Sequence, residues 1–360
     1  MLTDRKARPP KLNPIPVAKM MIEPWRCDSA GSSRSELVTA TIRARYARTG
    51  RSSSAPVSVL HNFPSPRHIR PLGQQRRISF GNTAVMDIST TTTLNNGTKM
   101  PIVGLGTYLS QDGDEVQRAV TWALEAGYRA IDTASMYKNE EGIGAAVAAS
   151  SVSREDIFLT SKVWNTDQGY ESTLASCAGS LQRLGTDYLD LLLIHWPSRM
   201  HMADTWRALE ELVADGVVRT IGVSNFLAHH IDELLSFANI APAVNQFEHH
   251  PYLQQPDLVA KCGEHDIKVT AWAPILKGRV NEIDTITSIA AEVGATPAQV
   301  TLRWMIERGV IVIPKSVRQE RIVENAGLFG FALGEDQMAQ LNALDRNERV
   351  GPNPDNFPGT

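Results

Sequence analysis

Four side chains in the middle of the sequence have the chemistry for proton transfer: Asp132, Tyr137, Lys162 and His195. A phenol has a pKa of about 10, so it is a weak acid at neutral pH. A nearby ammonium favours the phenolate and lowers that pKa, and a carboxylate can hold the ammonium in place. An imidazole can hydrogen-bond a substrate oxygen and fix its orientation. The set is therefore suited to donating a proton to a carbonyl oxygen on which negative charge is building.

A proton donor for a carbonyl group needs a hydride donor beside it, and further residues fit such a cofactor. Trp272 can stack on a flat ring, while Ser224, Asn225 and Gln246 can hydrogen-bond a carboxamide. The segment Ile313–Arg321 places hydroxyl and amide donors and three cations after the last predicted strand and into a helix N-terminus. That arrangement is typical of an anion site, although a solvated basic turn would have the same composition.

The apolar pattern indicates which elements position these residues. Short, nearly continuous apolar runs alternate with segments of helical periodicity, as in a parallel sheet covered by helices. We predict eight strands, at Ile102–Leu105, Ala130–Asp132, Ile157–Ser161, Leu189–Ile194, Thr220–Val223, Val244–Phe247, Lys268–Ala271 and Val310–Ile313. We predict helices at Glu115–Ala126, Glu140–Ala149, Gly169–Leu184, Asp204–Ala214, Ala228–Phe237, Gln255–His265, Pro297–Arg308 and Arg318–Asn325, with extra helices at Ile283–Val293 and Glu335–Leu344.

This alternation predicts an α/β fold, a (β/α)8 TIM barrel, and the segment from Met86 has the size that such a barrel needs. Thr91–Val103 reads as an N-terminal β-hairpin with Asn96 and Gly97 as the turn. The rival is an open doubly wound sheet, which would need a glycine fingerprint after its first strand. Gly104-Leu105-Gly106 begins one, but Leu109 stands where the third glycine should be, so we interpret it as a tight turn.

In a TIM barrel the carboxyl ends of the strands face the active site. Polar residues occur at or just after most of the predicted strands: Asp132, Lys162, His195, Ser224, Asn225, Gln246, Trp272, Lys315 and Ser316. Any one of them alone could be a structural residue. Their convergence at one mouth indicates a functional site.

Charge divides the chain into two parts. Residues 1–85 hold 15 Lys and Arg against 4 acidic residues, whereas residues 86–360 hold 21 basic and 35 acidic residues. We predict that 1–85 is a disordered basic extension rich in Arg, Ser and Pro, and that 86–360 is the barrel domain. The extension could be an organelle transit peptide or a basic arm, or translation could start at Met86. The scarcity of interleaved aromatic residues argues against nucleic acid as a partner.

The three cysteines, Cys27, Cys177 and Cys262, are scattered, which argues against a disulfide framework or a thiolate metal site. No apolar run reaches the roughly 18 residues of a transmembrane helix, so we expect no membrane partner. We expect a cytoplasmic protein, or an organelle protein if residues 1–85 are a transit peptide.

Two pairs of adjacent histidines, His229-His230 and His249-His250, could suggest a metal site. Adjacent side chains on one helix or strand are expected to point apart, so neither pair should supply two ligands to one ion. We therefore expect no metal.

Several long motifs resemble the aldo-keto reductase family, in order, from about Asp87 to Phe357. The matching segments are Met100–Tyr108, Gly127–Ala134, Tyr137–Glu140, Thr160–Tyr170, Asp187–Pro197, Gly222–Phe226, Val244–Tyr252 and Ile313–Asn325. Trp272, where many animal members carry Tyr, resembles the bacterial 2,5-diketo-D-gluconate reductase branch.

The resemblance implies a (β/α)8 barrel that uses NADPH without a Rossmann fold to reduce aldehydes and ketones to alcohols. It implies that Tyr137 is the general acid, supported by Asp132, Lys162 and His195. The implied cofactor-binding residues are Gly106, Thr107, Ser224, Asn225, Gln246, Trp272, Lys315, Ser316, Arg321, Glu324 and Asn325. Of these, Lys315, Ser316 and Arg321 would contact the 2′-phosphate, and Glu324 and Asn325 the adenine end.

The expected substrate is a small or medium carbonyl compound. The resemblance implies a mouth lined by Tyr108, Trp164, His195, Trp196 and Phe226. A short C-terminal tail is expected to leave this mouth open. We expect a monomer.

Two other functions stay open at this point. A non-catalytic member could bind nucleotide as a sensor or a partner subunit, although the complete set of four residues argues against that reading. A barrel isomerase or lyase could use Lys162 as a Schiff-base amine, which the neighbouring Tyr137 and Asp132 make a poor fit.

Overall fold

The computed structural model describes residues 86–357. The expectations for residues 1–85 therefore lie outside the described residues. Within 86–357, one sheet contains eight strands and a second, smaller sheet contains two. The eight-stranded sheet is parallel throughout and its strands follow chain order.

The smaller sheet is the predicted hairpin. β1 (Thr91–Thr93) pairs antiparallel with β2 (Lys99–Pro101). Gly97 lies in the turn at φ 86°, a conformation that L side chains rarely adopt. The Asn95 side-chain amide donates to the backbone carbonyl of Pro242 at 3.0 Å, which ties the turn to the segment just before the sixth barrel strand. The hairpin thus lies against the amino-terminal end of the barrel.

The barrel strands carry the polar residues of interest at their carboxyl ends. They are β3 (Leu105–Gly106), β4 (Ala130–Asp132), β5 (Phe158–Val163), β6 (Leu191–Ile194), β7 (Ile221–Ser224), β8 (Val244–Glu248), β9 (Lys268–Trp272) and β10 (Ile311–Val312). The ring closes between its first and last strands. The Gly104 N–H donates to the Val312 carbonyl at 2.9 Å, and the Val312 N–H donates to the Ile102 carbonyl at 3.0 Å. The predicted closed barrel is confirmed.

The first barrel strand differs most from its prediction, since Ile102–Leu105 was expected and β3 covers Leu105–Gly106. Ile102 lies outside both sheets but hydrogen-bonds toward each of them. Its N–H donates to the carbonyl of Thr90, just before β1, at 3.1 Å, while its own carbonyl accepts from the Val312 N–H. The predicted strand Ile102–Leu105 therefore includes the connection between the hairpin and the barrel as well as the start of β3.

Ten α-helices are present among the described residues, and each overlaps a predicted one. They are α1 (Asp114–Glu125), α2 (Glu140–Ala149), α3 (Tyr170–Leu184), α4 (Met202–Ala214), α5 (Ala228–Leu235), α6 (Pro256–Glu264), α7 (Asp284–Val293), α8 (Pro297–Glu307), α9 (Gln319–Ala326) and α10 (Glu335–Asn342). Within residues 86–357, no helix has both the length and the apolar character to cross a bilayer.

The buried side chains form two clusters that explain the continuous apolar strands. Along β6, Leu192 and Ile194 join the large cluster between strands and helices, while Leu191 and Leu193 join a smaller one inside the barrel. The hairpin region adds Leu94 to this inner cluster. Since apolar side chains fill this part of the barrel interior, the polar strand ends are gathered at the opposite, carboxyl-end mouth.

Candidate active site

The loop between β4 and α2 carries the expected proton donor. Asp132 ends β4, a single turn of 3₁₀ helix spans Ser135–Tyr137, and α2 begins at Glu140. Lys138 closes the turn at φ 54°, in the left-handed region. This backbone leaves the Tyr137 side chain half-buried at the mouth of the barrel.

Asn139 holds this loop in place, and its side chain is fully buried. Its Oδ1 accepts from the Thr133 hydroxyl at 2.8 Å. Its Nδ2 donates to the backbone carbonyls of Thr107 at 2.9 Å and Ser110 at 3.1 Å. The amide therefore fastens the loop after β4 to the loop after β3, which fixes Tyr137 relative to its neighbour Tyr108.

Lys162, in β5, brings its ammonium into the same site. Its Nζ donates to Asp132 Oδ1 at 2.5 Å and to the Thr133 carbonyl at 2.8 Å, and it lies 3.5 Å from the Tyr137 hydroxyl. The Lys162 side chain is 0% exposed and that of Asp132 is 7% exposed, so the ion pair is buried. An amine engaged in this way is a poor Schiff-base nucleophile.

Asp132 is held from two further directions. Its Oδ2 accepts from the Gln246 side-chain amide of β8 at 2.6 Å. Its backbone carbonyl accepts from the Thr107 hydroxyl at 2.9 Å. Thr107, which was expected at the cofactor and follows β3, therefore holds the backbone of Asp132. Both oxygens of Asp132 have partners, as a buried charge requires.

The pKa of Tyr137 differs from its expectation. We predicted that Lys162 would lower it, but burial and the Asp132 carboxylate hold the pKa of the Tyr137 phenol well above its ordinary value. Asp132 neutralises much of the field of Lys162, and burial also lowers the pKa of the Lys162 ammonium. Tyr137 is therefore protonated at neutral pH, which is the form that a proton donor must have.

His195 follows β6 and faces this group. Burial, followed by the charge of Lys162, holds the pKa of His195 well below its ordinary value, so the ring is neutral. Its Nδ1 is buried and has no hydrogen-bond partner among the described residues. The ring packs edge-on against Tyr137 at 5.6 Å and against Trp164 at 5.0 Å between centroids. A neutral imidazole can hydrogen-bond a carbonyl oxygen without adding a second positive charge beside Lys162.

The neutral state of His195 predicts the acid side of the pH profile. A histidine titrates near pH 6.5, but a lowered pKa keeps the ring neutral as the pH falls through that value. We expect kcat/KM for carbonyl reduction to show no acid-side inflection between about pH 5.5 and 8. An inflection near 6.5 that disappears in His195→Asn would contradict this reading.

The residues expected at a nicotinamide form one connected network. The Ser224 hydroxyl donates to the Gln246 backbone carbonyl at 2.8 Å. Asn225 Nδ2 donates to the His195 carbonyl at 2.9 Å, and Asn225 Oδ1 accepts from the Trp272 indole N–H at 2.8 Å. The network ties together the ends of β6, β7, β8 and β9 and holds the indole by one edge.

The opposite edge of Trp272 is held by the C-terminal segment. A Cβ on Gly351 would collide with the indole ring, so only glycine fits there. The buried Glu248 carboxylate accepts from the Val350 N–H at 2.5 Å and the Gly351 N–H at 3.1 Å, and it lies 2.9 Å from His250 Nε2. The ring of Trp272 is therefore fixed on both sides, as a stacking platform requires.

The expected phosphate-binding residues gather after β10. The Ser316 hydroxyl accepts from the Arg318 N–H at 3.1 Å, which shapes the turn before α9. Lys315 is exposed, and its Nζ donates to the Leu109 carbonyl at 3.3 Å. Arg321 is exposed and forms no ion pair within the described part of the chain. An unpaired guanidinium beside a helix start fits a phosphate group.

The other expected cofactor residues lie around this turn. Gly106 lets β3 approach β10 closely, because a Cβ there would lie 2.7 Å from the Ile313 carbonyl. Glu324 Oε1 accepts from the Thr296 hydroxyl at 2.7 Å, which leaves its second oxygen for a ligand. Asn325 is buried at 4% exposure on the same helix. The structure thus brings the expected cofactor residues to the same end of the barrel.

Aromatic side chains surround the proton-donor group. The ring of Tyr108 is half exposed and lies 5.0 Å from that of Tyr137. Phe357 lies flat on Trp196, with centroids 4.0 Å apart and an interplanar angle of 4°. It also meets Trp164 edge-on at 5.9 Å. The expected open mouth is wrong in this respect, because the short tail turns back and covers Trp196.

Phe226 does not lie where it was expected. Its side chain is fully buried in the core between strands and helices, edge-on to the His230 ring at 5.8 Å. Asn225 has a left-handed backbone, at φ 63°, and its side chain bonds to the His195 carbonyl and the Trp272 indole, whereas the Phe226 ring lies in the helical layer.

Sequence reasoning missed the role of Glu140, the first residue of α2. It is 1% exposed. Its carboxylate accepts from the Ser161 hydroxyl at 2.6 Å and pairs with Arg183 at 2.6 Å. The bond from Ser161 ties the start of α2 to β5, and the ion pair with Arg183 ties it to α3. Arg183 belongs to the next helix, α3, and its distance from Glu140 in the sequence gives no indication that the two side chains pair.

Comparison with known proteins decides the family. The model of the aldo/keto reductase family matches residues 102–346. This chain belongs to that family. Glyoxal reductase of Bacillus subtilis (strain 168) is 51% identical over 265 residues, which cover 74% of this chain and 96% of that protein. Methylglyoxal reductase DkgA of Salmonella typhimurium is 42% identical over 270 residues, covering 74% of this chain and 97% of that protein.

Solved structures agree with this assignment. A mutant of Gox0644 in complex with NADPH is 41% identical to this aldo/keto reductase, with a TM-score of 0.71. The match covers 74% of this chain and 98% of that one. The expected family and the expected barrel are both confirmed.

Proposed function

We propose that this aldo/keto reductase reduces small dicarbonyl compounds such as glyoxal and methylglyoxal with NADPH, and that Tyr137 donates the proton. NADPH-dependent carbonyl reduction is the activity that its relatives support. The observation that carries the role of Tyr137 is the position of its hydroxyl at the barrel mouth, 3.5 Å from Lys162 Nζ and beside the His195 ring.

Each residue of the site has a separate role in delivering the proton. Bound NADPH supplies the hydride to the carbonyl carbon. His195 orients the carbonyl oxygen, and Tyr137 gives that oxygen its proton as charge develops on it. Lys162 stabilises the phenolate that remains, and Asp132 keeps the ammonium in position. The buried hydrogen bonds of this group are formed before the substrate arrives, so little reorganisation is needed during the reaction.

The donor set fits NADPH better than NADH. Lys315 and Arg321 are exposed cations after β10, and Arg321 forms no close ion pair with an acidic side chain among the described residues. A 2′-phosphate would supply the missing negative charge. At the other end, Trp272 presents a fixed aromatic ring beside Ser224 and Asn225, which suits a flat nicotinamide and its carboxamide.

The substrate class rests on the relatives and on the aromatic rings around the proton donor. Phe357 covers Trp196, and the Tyr108 ring lies 5.0 Å from that of Tyr137, so a bulky group near the proton donor would meet these rings. Two relatives are named for glyoxal and methylglyoxal reduction.

The test is NADPH consumption by the full chain with glyoxal, methylglyoxal, an aromatic aldehyde and a keto-sugar acid. We expect multiple turnovers, a higher kcat/KM for the dicarbonyls, and much weaker activity with NADH. Tight NADPH binding without turnover on any carbonyl would contradict the proposal and favour a nucleotide sensor or partner subunit.

Arg321 provides a prediction about cofactor choice. A hydrogen bond to a charged group contributes about 1.5–3 kcal/mol. Arg321→Ala should therefore weaken NADPH binding by roughly 10- to 100-fold and leave NADH binding nearly unchanged. Titration of the intrinsic protein fluorescence with each cofactor measures the two dissociation constants. Arg118→Ala, which removes an exposed arginine on α1, is the matched control; an equal loss for NADPH and NADH would refute the assignment.

A further inference from the structure

The last described residues form an ordered segment across the mouth. Pro354–Asn356 is a turn of 3₁₀ helix that Asn353 caps, since its Oδ1 accepts from the Asp355 N–H at 3.1 Å. Pro354 is buried. The turn ends at Phe357, so its placement decides where this ring lies.

Phe357 is connected to the reacting group through stacked aromatic rings. It lies flat on Trp196 and meets Trp164 edge-on. Trp164 in turn packs edge-on against His195 at 5.0 Å between centroids. Trp196 is only 6% exposed in this arrangement. A bulky group bound near His195 would therefore compete with the Phe357 ring for space against these two indoles.

Two adjacent histidines of α5 hold the turn. Asp355 Oδ1 lies 3.1 Å from His229 Nε2 and 3.7 Å from His230 Nε2. The two imidazole rings are 4.0 Å apart between centroids. We had expected the adjacent side chains to point apart, and for this pair that expectation is wrong. Both rings face the carboxylate because α5 begins only one or two residues earlier, at Ala228.

Donor atoms of these three side chains lie within 4.8 Å of one another, as they would around a metal ion. The hydrogen bonds of His230 argue against a metal. Its Nδ1 accepts from the Leu227 N–H at 3.1 Å, so in the neutral ring the proton is on Nε2. Burial lowers the pKa of His230 to about 4, so the ring is neutral at pH 7. Nε2 therefore presents a proton to Asp355 and has no lone pair for an ion.

We propose that Asp355 is a positioning residue which, by its contacts with His229 and His230, holds Phe357 against Trp196 and so limits the size of the carbonyl substrate. This inference rests on the proposed reductase function. The latch, defined as Asp355 with His229 and His230, contacts neither the proton donor nor the expected cofactor residues. Its release should enlarge the mouth and leave the chemistry in place.

The experiment compares kcat/KM for glyoxal and for naphthaldehyde in the wild type and in Asp355→Ala. We expect the naphthaldehyde-to-glyoxal ratio to rise roughly tenfold in the variant, through a lower KM for the bulky aldehyde. Phe357→Leu should move the ratio in the same direction. Asp336→Ala, which removes an exposed aspartate in the first turn of α10, is the control and should leave the ratio unchanged.

The outcomes separate this inference from the proposed function. A wild type that reduces no carbonyl would contradict the function itself. A wild type that turns over glyoxal, with the ratio unchanged in a folded Asp355→Ala, would overturn the latch alone; thermal melting establishes that the variant is folded. EDTA should not alter the wild-type ratio, and a shift on adding it would mean that a metal ion, and not direct contact between the side chains, holds the latch.

Discussion

Tyr137→Phe is expected to lower kcat for carbonyl reduction by roughly 10²- to 10⁴-fold, because it removes the phenolic proton from the position beside His195 and Lys162. The phenyl ring preserves the packing against Tyr108 and His195. Binding of NADPH should therefore change little, and the loss should appear in kcat. Steady-state kinetics with glyoxal, together with a cofactor titration, measures both quantities.

Tyr108→Phe is the matched control, since it removes a phenol from the neighbouring, half-exposed ring. We expect at most a small loss of kcat in that variant, because Tyr108 lacks the contact with Lys162. Full turnover in Tyr137→Phe would exclude Tyr137 as the proton donor. Equal losses in both variants would point to the shape of the mouth as the cause.

Lys162→Met should have the largest effect on stability. It leaves the Asp132 carboxylate buried, with the Gln246 amide as its remaining side-chain partner. Removing one partner of a buried ion pair costs about 3–5 kcal/mol, so the free energy of unfolding should fall by that amount. The variant should also lose activity, because nothing then stabilises the phenolate. Denaturant unfolding followed by fluorescence measures the first effect.

A double variant separates charge burial from catalysis. Asp132→Asn combined with Lys162→Met removes both charges, and an amide can still accept from Gln246. We expect most of the lost stability to return while activity stays low. If the double variant is as unstable as Lys162→Met, the cost comes from packing and the electrostatic explanation is wrong.

Local patterns predicted the fold and much of the site, because parallel strands buried on both faces are apolar runs that end in polar residues. Asp132, Lys162 and Gln246 could be placed together in this way, and the structure joins them by hydrogen bonds. The predictions were wrong where contacts between side chains distant in the sequence determine a residue's properties. The pKa of Tyr137 depends on how fully Asp132 neutralises Lys162, which spacing does not reveal.

The fact that spacing does not reveal side-chain packing also explains the other differences between the predictions and the structure. The Phe226 ring packs against His230 in the core, and the tail covers Trp196 while Asp355 contacts two histidines from another part of the chain. The interpretation of residues 1–85, the compartment and the monomeric state stay predictions.

The closure of the barrel between β3 and β10 has a consequence for synthesis on the ribosome. The loop after β3 carries Tyr108, yet its strand is paired on both sides only after Val312 has emerged. Pairing between such distant segments forms late and slowly. A prematurely terminated chain would expose an unpaired, apolar strand edge. Translation past β10 is therefore needed before the barrel can close and cover this edge.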